Sequence, residues 1–141
     1  MGKQKKYTLN IDDELEFEVF GLSTPFADYR IAWELNDKLE FKFEKSSESL
    51  SVFDRKTKQI KKFQQFSYID EENLTQIHLL KNKQGNQIVT QEHSMMDFFL
   101  ILRNNFTIET NKLLTQLRNT NGIVAAFKLE GDNFGFIDEM N

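Results

Sequence analysis

Cysteine is missing from this 141-residue chain, which excludes disulfides, cysteine-ligated zinc, iron–sulfur clusters and a thiol nucleophile together. Proline occurs once, at Pro25, and histidine only at His78 and His93. Gly21, Gly85, Gly122, Gly131 and Gly135 stand far apart and read as turn or cap glycines, so no glycine-rich loop is available to cradle a phosphate. None of the motifs G-x-S-x-G, G-x-G-x-x-G, H-E-x-x-H or the P-loop occurs. These absences together predict a protein that is not an enzyme and holds no cofactor. Long hydrophobic runs are missing too: the longest, Phe98 to Leu102, is far short of the ~20 residues a membrane helix needs. Met1 to Lys6 leads into polar, strand-like sequence instead of an apolar leader, so the expectation is a soluble, cytoplasmic protein.

Aromatic carbon fills the space these residues leave. Fourteen phenylalanines, three tyrosines and one tryptophan supply a core of large flat side chains. Eighteen basic against 22 acidic residues leave a net charge of −4, which speaks against nucleic acid or an anionic membrane as the main partner. The length corresponds to one domain of roughly 100–150 residues, placed at residues 1–130 with a polar C-terminal tail over 131–141.

Periodicity sets out the elements. Leu15, Phe17 and Val19 alternate with Glu14, Glu16 and Glu18, a strand with one buried and one acidic face; Tyr7 to Ile11 predicts a strand before it, with Asp12-Asp13 as the turn. Thr24 before Pro25 predicts a helix start. Over residues 26–39, Arg30, Glu34, Asp37 and Lys38 share a polar arc. Phe26, Tyr29, Ile31, Ala32, Trp33, Leu35 and Leu39 occupy an apolar arc wider than the ~100° stripe of an ordinary surface helix. Leu39, Phe41 and Phe43 predict a strand. Leu50–Phe53, Phe63–Ile69, Leu74–Leu80 and Ile88-Val89 predict an antiparallel meander. Met95 to Leu102 reads as a central strand buried on both faces. Thr107 is placed to cap a second helix carrying Phe106, Leu113, Leu114 and Leu117, ended by Asn121-Gly122. Ile123, Ala125, Phe127 and Leu129 alternate as a last strand. Each helix is then a crossover between parallel strands. The resulting fold class is α+β: a two-layer sandwich with a mixed, mainly antiparallel sheet and two helices on one face.

Three stretches, Asp28 to Asn36, Thr90 to Phe98 and Val124 to Phe127, resemble an uncharacterised bacterial family named for an IPExxxVDY signature. Glu92 and Asp97 match it literally; Thr90, Gln91, Met96 and Phe98 stand where the signature has Ile, Pro, Val and Tyr. The resemblance implies a small, single-domain cytoplasmic protein without an assigned activity.

Two constellations remain. Glu92, His93 and Asp97, with His78 as a further nitrogen, are the one compact group of metal or acid–base types, but on a strand Glu92 points away from the other two. The plainer reading makes Glu92, Asp97 and Phe98 structural, with Asp97 buried and hydrogen-bonded and no metal bound. Arg55, Lys56, Lys58, Lys61 and Lys62 lie between Phe53 on one side and Phe63, Phe66 and Tyr68 on the other, a combination that could stack and neutralise single-stranded nucleic acid. Solvated hairpin tips carry the same charges, and the acidic total speaks against this reading. The first expectation is a protein-binding or scaffold role, with another protein or a second copy of the chain meeting Tyr29 and Trp33. A small-molecule-sensing domain is the alternative.

Overall fold

The structure, a computed structural model, describes residues 17–45, 49–54, 58–84, 87–88 and 93–129. The anticipated strand at Tyr7–Ile11, its Asp12-Asp13 turn and the tail at 131–141 lie outside them. The architecture is α+β. A six-stranded sheet has the order β10-β1-β9-β6-β5-β2, and two hairpins stand apart from it, β3–β4 and β7–β8. The strands are β1 (Phe17–Ser23), β2 (Glu44–Lys45), β3 (Leu50–Asp54), β4 (Gln59–Phe63), β5 (Gln65–Asp70), β6 (Thr75–Lys81), β7 (Lys83–Gln84), β8 (Gln87–Ile88), β9 (Phe98–Arg103) and β10 (Ala125–Leu129). The helices are α1 (Asp28–Leu39) and α2 (Thr110–Arg118).

Every pairing among the described residues is antiparallel. The two crossovers therefore do not join adjacent parallel strands as anticipated. β9 and β10, linked through α2, do run the same way, but β1 lies between them and pairs antiparallel with both. β1 and β2, linked through α1, are likewise co-directional and lie far apart in the sheet. The crossover pattern is present in its split form, with one strand inserted.

Sequence chemistry explains the two faces. Phe20 and Leu22 of β1, Ile77 and Leu79 of β6, and Phe98, Leu100 and Leu102 of β9 pack against Ile31, Ala32 and Leu35 of α1 and Leu113 and Leu117 of α2. Each such aliphatic or aromatic burial contributes about 1.5–3 kcal/mol. The opposite face gathers Val19, Leu80, Phe99 and Ile101, joined by Phe63 from the end of β4. β1 is covered on both faces from Val19 to Leu22, by the helices on one side and by Phe63 and Met96 on the other; Glu14, Leu15 and Glu16 of the anticipated alternation lie outside the described residues. Gly21 sits mid-strand instead of in a turn, and a Cβ there would run into the Met96 thioether.

Local hydrogen bonding moves several boundaries. Thr24 does not cap α1: its hydroxyl accepts the Phe26 N–H at 3.1 Å, closing a turn before the helix, and Ala27 becomes the N-cap. Asp28 then accepts the Tyr29 N–H at 2.7 Å in the first turn, where the helix dipole favours a carboxylate. The alternating Leu39-Phe41-Phe43 is not a strand. Leu39 ends α1, Glu40 turns left-handed at φ 61°, and Asn36 takes both main-chain groups of Phe43, accepting its N–H at 2.8 Å and donating to its carbonyl at 3.2 Å. Only Glu44–Lys45 pair. β9 begins at Phe98, with Met95 in an exposed turn. Glu109, not Thr107, caps α2, accepting from the N–H groups of Asn111 and Lys112, and Phe106 is exposed. In β10 it is Ala126 that joins the helix-side core, while Phe127 is half-exposed.

Candidate interaction surface

α1 presents one stripe to the sheet and another to solvent. Ile31 and Leu35, four residues apart, are fully buried; Tyr29 and Trp33, also four apart, lie opposite them and are 71% and 59% exposed. The broad apolar arc read from the sequence is therefore gripped on one side only. Helical spacing puts the two outer rings one turn apart, and an aromatic pair in solvent is the composition that protein interfaces favour.

The flank of α1 nearest α2 is polar but closed. Glu34, placed on the polar arc by periodicity, is buried. One of its carboxylate oxygens accepts both the Arg30 Nε–H at 2.9 Å and the Asn121 amide at 3.1 Å. The Arg30 guanidinium also lies 4.6 Å from the centroid of the Phe26 ring. Gly122, at φ 92°, brings the chain so close to Phe26 that a Cβ would overlap the ring. These contacts fix the orientation in which α1 shows Tyr29 and Trp33.

The loop before β9 is built for support. Thr24 donates its N–H to Asp97 at 2.9 Å, and Lys83 Nζ lies 3.8 Å from the other carboxylate oxygen. The Asp97 side chain is 34% exposed, so it is not the buried carboxylate anticipated: β9 starts one residue later and leaves it at the sheet rim. Asn82, fully buried, donates its side-chain amide to the carbonyls of His93 and Met96 and its N–H to the Asp97 carbonyl. Sequence inspection did not single out Asn82; its position just after β6 is the signal it carried. Phe98 sits in the helix-side core. Glu92 lies outside the described residues, and no group of three His, Cys, Asp or Glu side chains among the described residues is arranged to hold a metal ion.

Of the basic hairpin, Arg55 and Lys56 lie outside the described residues. Lys58 occupies the β3–β4 turn at φ 58°, Lys62 is exposed and Lys61 is partly buried. Phe63 and Phe66 are buried in opposite cores, and the Tyr68 ring packs edge-on against Phe43 with centroids 5.3 Å apart. These three rings are committed to packing, so they do not form a stacking platform beside the lysines.

Two features were not legible in the sequence. Glu40, Lys42, Tyr68, Ile69, Asp70, Glu71 and Glu72 line an open groove of about 610 Å³. Burial, then the Asp70 charge, pushes the Tyr68 phenol well above its usual range. Asp70 is held below its ordinary value first by the Asn73 side-chain amide and then by the main-chain N–H groups of the same turn. On the other sheet face, burial and then the Arg103 charge lower His78 to about 4. No helix among the described residues is long and apolar enough to cross a membrane. No family model, curated protein or solved structure matches this chain.

Proposed function

We propose that this chain is a non-enzymatic interaction protein that docks another protein, a second copy of itself being the first candidate, through the outer face of α1. The observation that carries the reading is the exposure of Tyr29 and Trp33 side by side on a helix whose opposite stripe is fully buried. Leaving two large rings in water forgoes the stabilisation their burial would bring, and buried aromatic anchors dominate the energetics of protein interfaces. Symmetric dimers are the commonest assemblies of soluble chains. The missing catalytic motifs support the non-enzymatic half of the proposal, and the resemblance to the IPExxxVDY proteins, carried within the described residues by Asp28 to Asn36, by Asp97 and by Val124 to Phe127, agrees with it.

A small-molecule sensor would use the groove beside β5, but that groove is open and dominated by carboxylates, unlike the enclosed, mostly apolar sites that small ligands favour. Trp33 is the only tryptophan, so its fluorescence reports the proposed surface directly. Concentrating the protein should shift the emission to shorter wavelength if copies meet there, and Tyr29→Ser should suppress that shift. Emission unchanged with concentration, together with a monomeric mass in sedimentation, removes the self-association half of the proposal.

A further inference from the structure

β5 is paired on its outer side for only part of its length. β2 meets Ser67 and Phe66 and goes no further, because Asn36 has taken both main-chain groups of Phe43. From Tyr68 to Asp70 the outer edge has no strand beside it among the described residues. An antiparallel strand turns the N–H and C=O of alternate residues outward, so this stretch is a template for another chain.

A hollow lies on each side of that edge. Tyr68 pairs with Ile77 and so faces the helix-side core. On this side the groove of about 610 Å³ sets the carboxylates of Glu40, Asp70, Glu71 and Glu72 against the single ammonium of Lys42. Ser67 pairs with His78, and Ile69 with Gln76, on the opposite face, where these four residues and Tyr68 line a hollow of about 100 Å³. His78 is 3% exposed, and neither of its ring nitrogens has a hydrogen-bond partner. A neutral imidazole offers one donor and one acceptor, and leaving both buried and unmet is costly. Ile69, 55% exposed, stands between the two hollows.

We propose that the free edge of β5 accepts an extended, cationic segment of a partner protein by strand addition, with a Lys or Arg facing the carboxylate groove and the adjacent Ser or Thr entering the His78 hollow. Successive side chains of a strand point to opposite faces, so neighbouring residues of one segment reach both hollows. The groove selects positive charge, and a hydroxyl, which both gives and takes a hydrogen bond, matches the neutral imidazole. This site is separate from the Tyr29–Trp33 face and stands or falls without it.

The test titrates the full chain with short capped peptides. One alternates lysine and threonine, an isomer of the same composition groups the lysines at one end, and a third alternates glutamate and threonine. The alternating lysine peptide should bind, shifting the amide signals of Tyr68 to Asp70 and the His78 ring signals together. The grouped isomer should bind at least about tenfold more weakly, and the glutamate peptide should not bind. Exchanging both Glu71 and Glu72, exposed in the turn, for lysine should weaken the alternating peptide by about tenfold or more. Absence of binding by the alternating peptide overturns the proposal. Equal binding of the two lysine isomers, or shifts that leave His78 untouched, overturns it as well by reducing the effect to diffuse charge attraction.

Discussion

Acidification should destabilise the fold through His78. The ring is buried with neither nitrogen hydrogen-bonded, so the fold stabilises its neutral form and the folded value falls to about 4. In the unfolded chain an imidazole titrates near 6.5. Because the folded value is the lower one, the unfolded state binds the proton first, and stability present above about pH 6.5 declines as the pH falls toward 4. At 1.36 kcal/mol per unit, the difference of about 2.5 units amounts to about 3 kcal/mol near pH 4 and about 2 kcal/mol at pH 5. That is a large share of the roughly 5–15 kcal/mol that holds a domain together. Replacing His78 by leucine removes both the titration and the two unmet polar atoms. His78→Leu should therefore be as stable as the parent or more so at pH 7.5, with a flatter profile between pH 6.5 and 4. Urea unfolding at several pH values measures both. An identical pH slope in parent and variant, or a His78 imidazole resonance titrating at the ordinary value of about 6.5 in the folded protein, refutes the reasoning.

Asp97→Ala removes the acceptor of the Thr24 N–H and should cost about 1–2 kcal/mol, while Lys62→Ala on the exposed hairpin should stay within about 0.5 kcal/mol; urea midpoints compare them. Asn82→Ala takes the amide donor from the Met96 carbonyl and one of two donors from the His93 carbonyl, which also accepts the Met96 N–H, and should cost about 1–3 kcal/mol, with amide exchange quickened first at residues 93–97. Gly122→Ala adds a Cβ at φ 92° into the Phe26 ring and should lose at least about 1–2 kcal/mol. Leu74→Gly, at φ 59° in an exposed turn, should gain about 1 kcal/mol; thermal unfolding of the two variants reads opposite signs.

The elements that sequence periodicity identified are those whose burial follows their own pattern. The unbroken apolar run of β9 marked a central strand, while the apolar arc of α1 held Ile31 and Leu35 together with Tyr29 and Trp33 and did not show which of them faced the sheet. Periodicity failed wherever a single polar side chain decided the outcome. Phe41 and Phe43 alternate like a strand and are both buried, yet Asn36 holds the Phe43 main chain away from a ladder. Thr24 and Thr107 have the chemistry of helix caps, but the Thr24 hydroxyl closes a turn of its own, and the Thr107 N–H donates to Asn105, which organises that loop. The burial of Glu34 was not legible because neither Arg30 stacked over Phe26 nor Asn121 across the turn is visible from helical spacing. Strand neighbours were out of reach for a different reason: β1 separates β9 from β10, and insertion of an early strand between two late ones leaves no local trace. The groove and the His78 hollow share this difficulty, since Glu40 at the end of α1 meets Asp70 to Glu72 only in the folded chain, and His78 meets Ser67 only through the sheet register.

The docking role of α1 is tested most directly by quantitative affinity capture from the protein's own cell lysate, with an untagged copy of the chain present, comparing the parent with Tyr29→Ser/Trp33→Ser. Both rings are exposed, so the double variant should keep its fold and its unfolding midpoint. The account predicts that at least one protein, the untagged copy or another, is retained by the parent and lost from the folded double variant. Indistinguishable retention by the two, at equal stability, would contradict it.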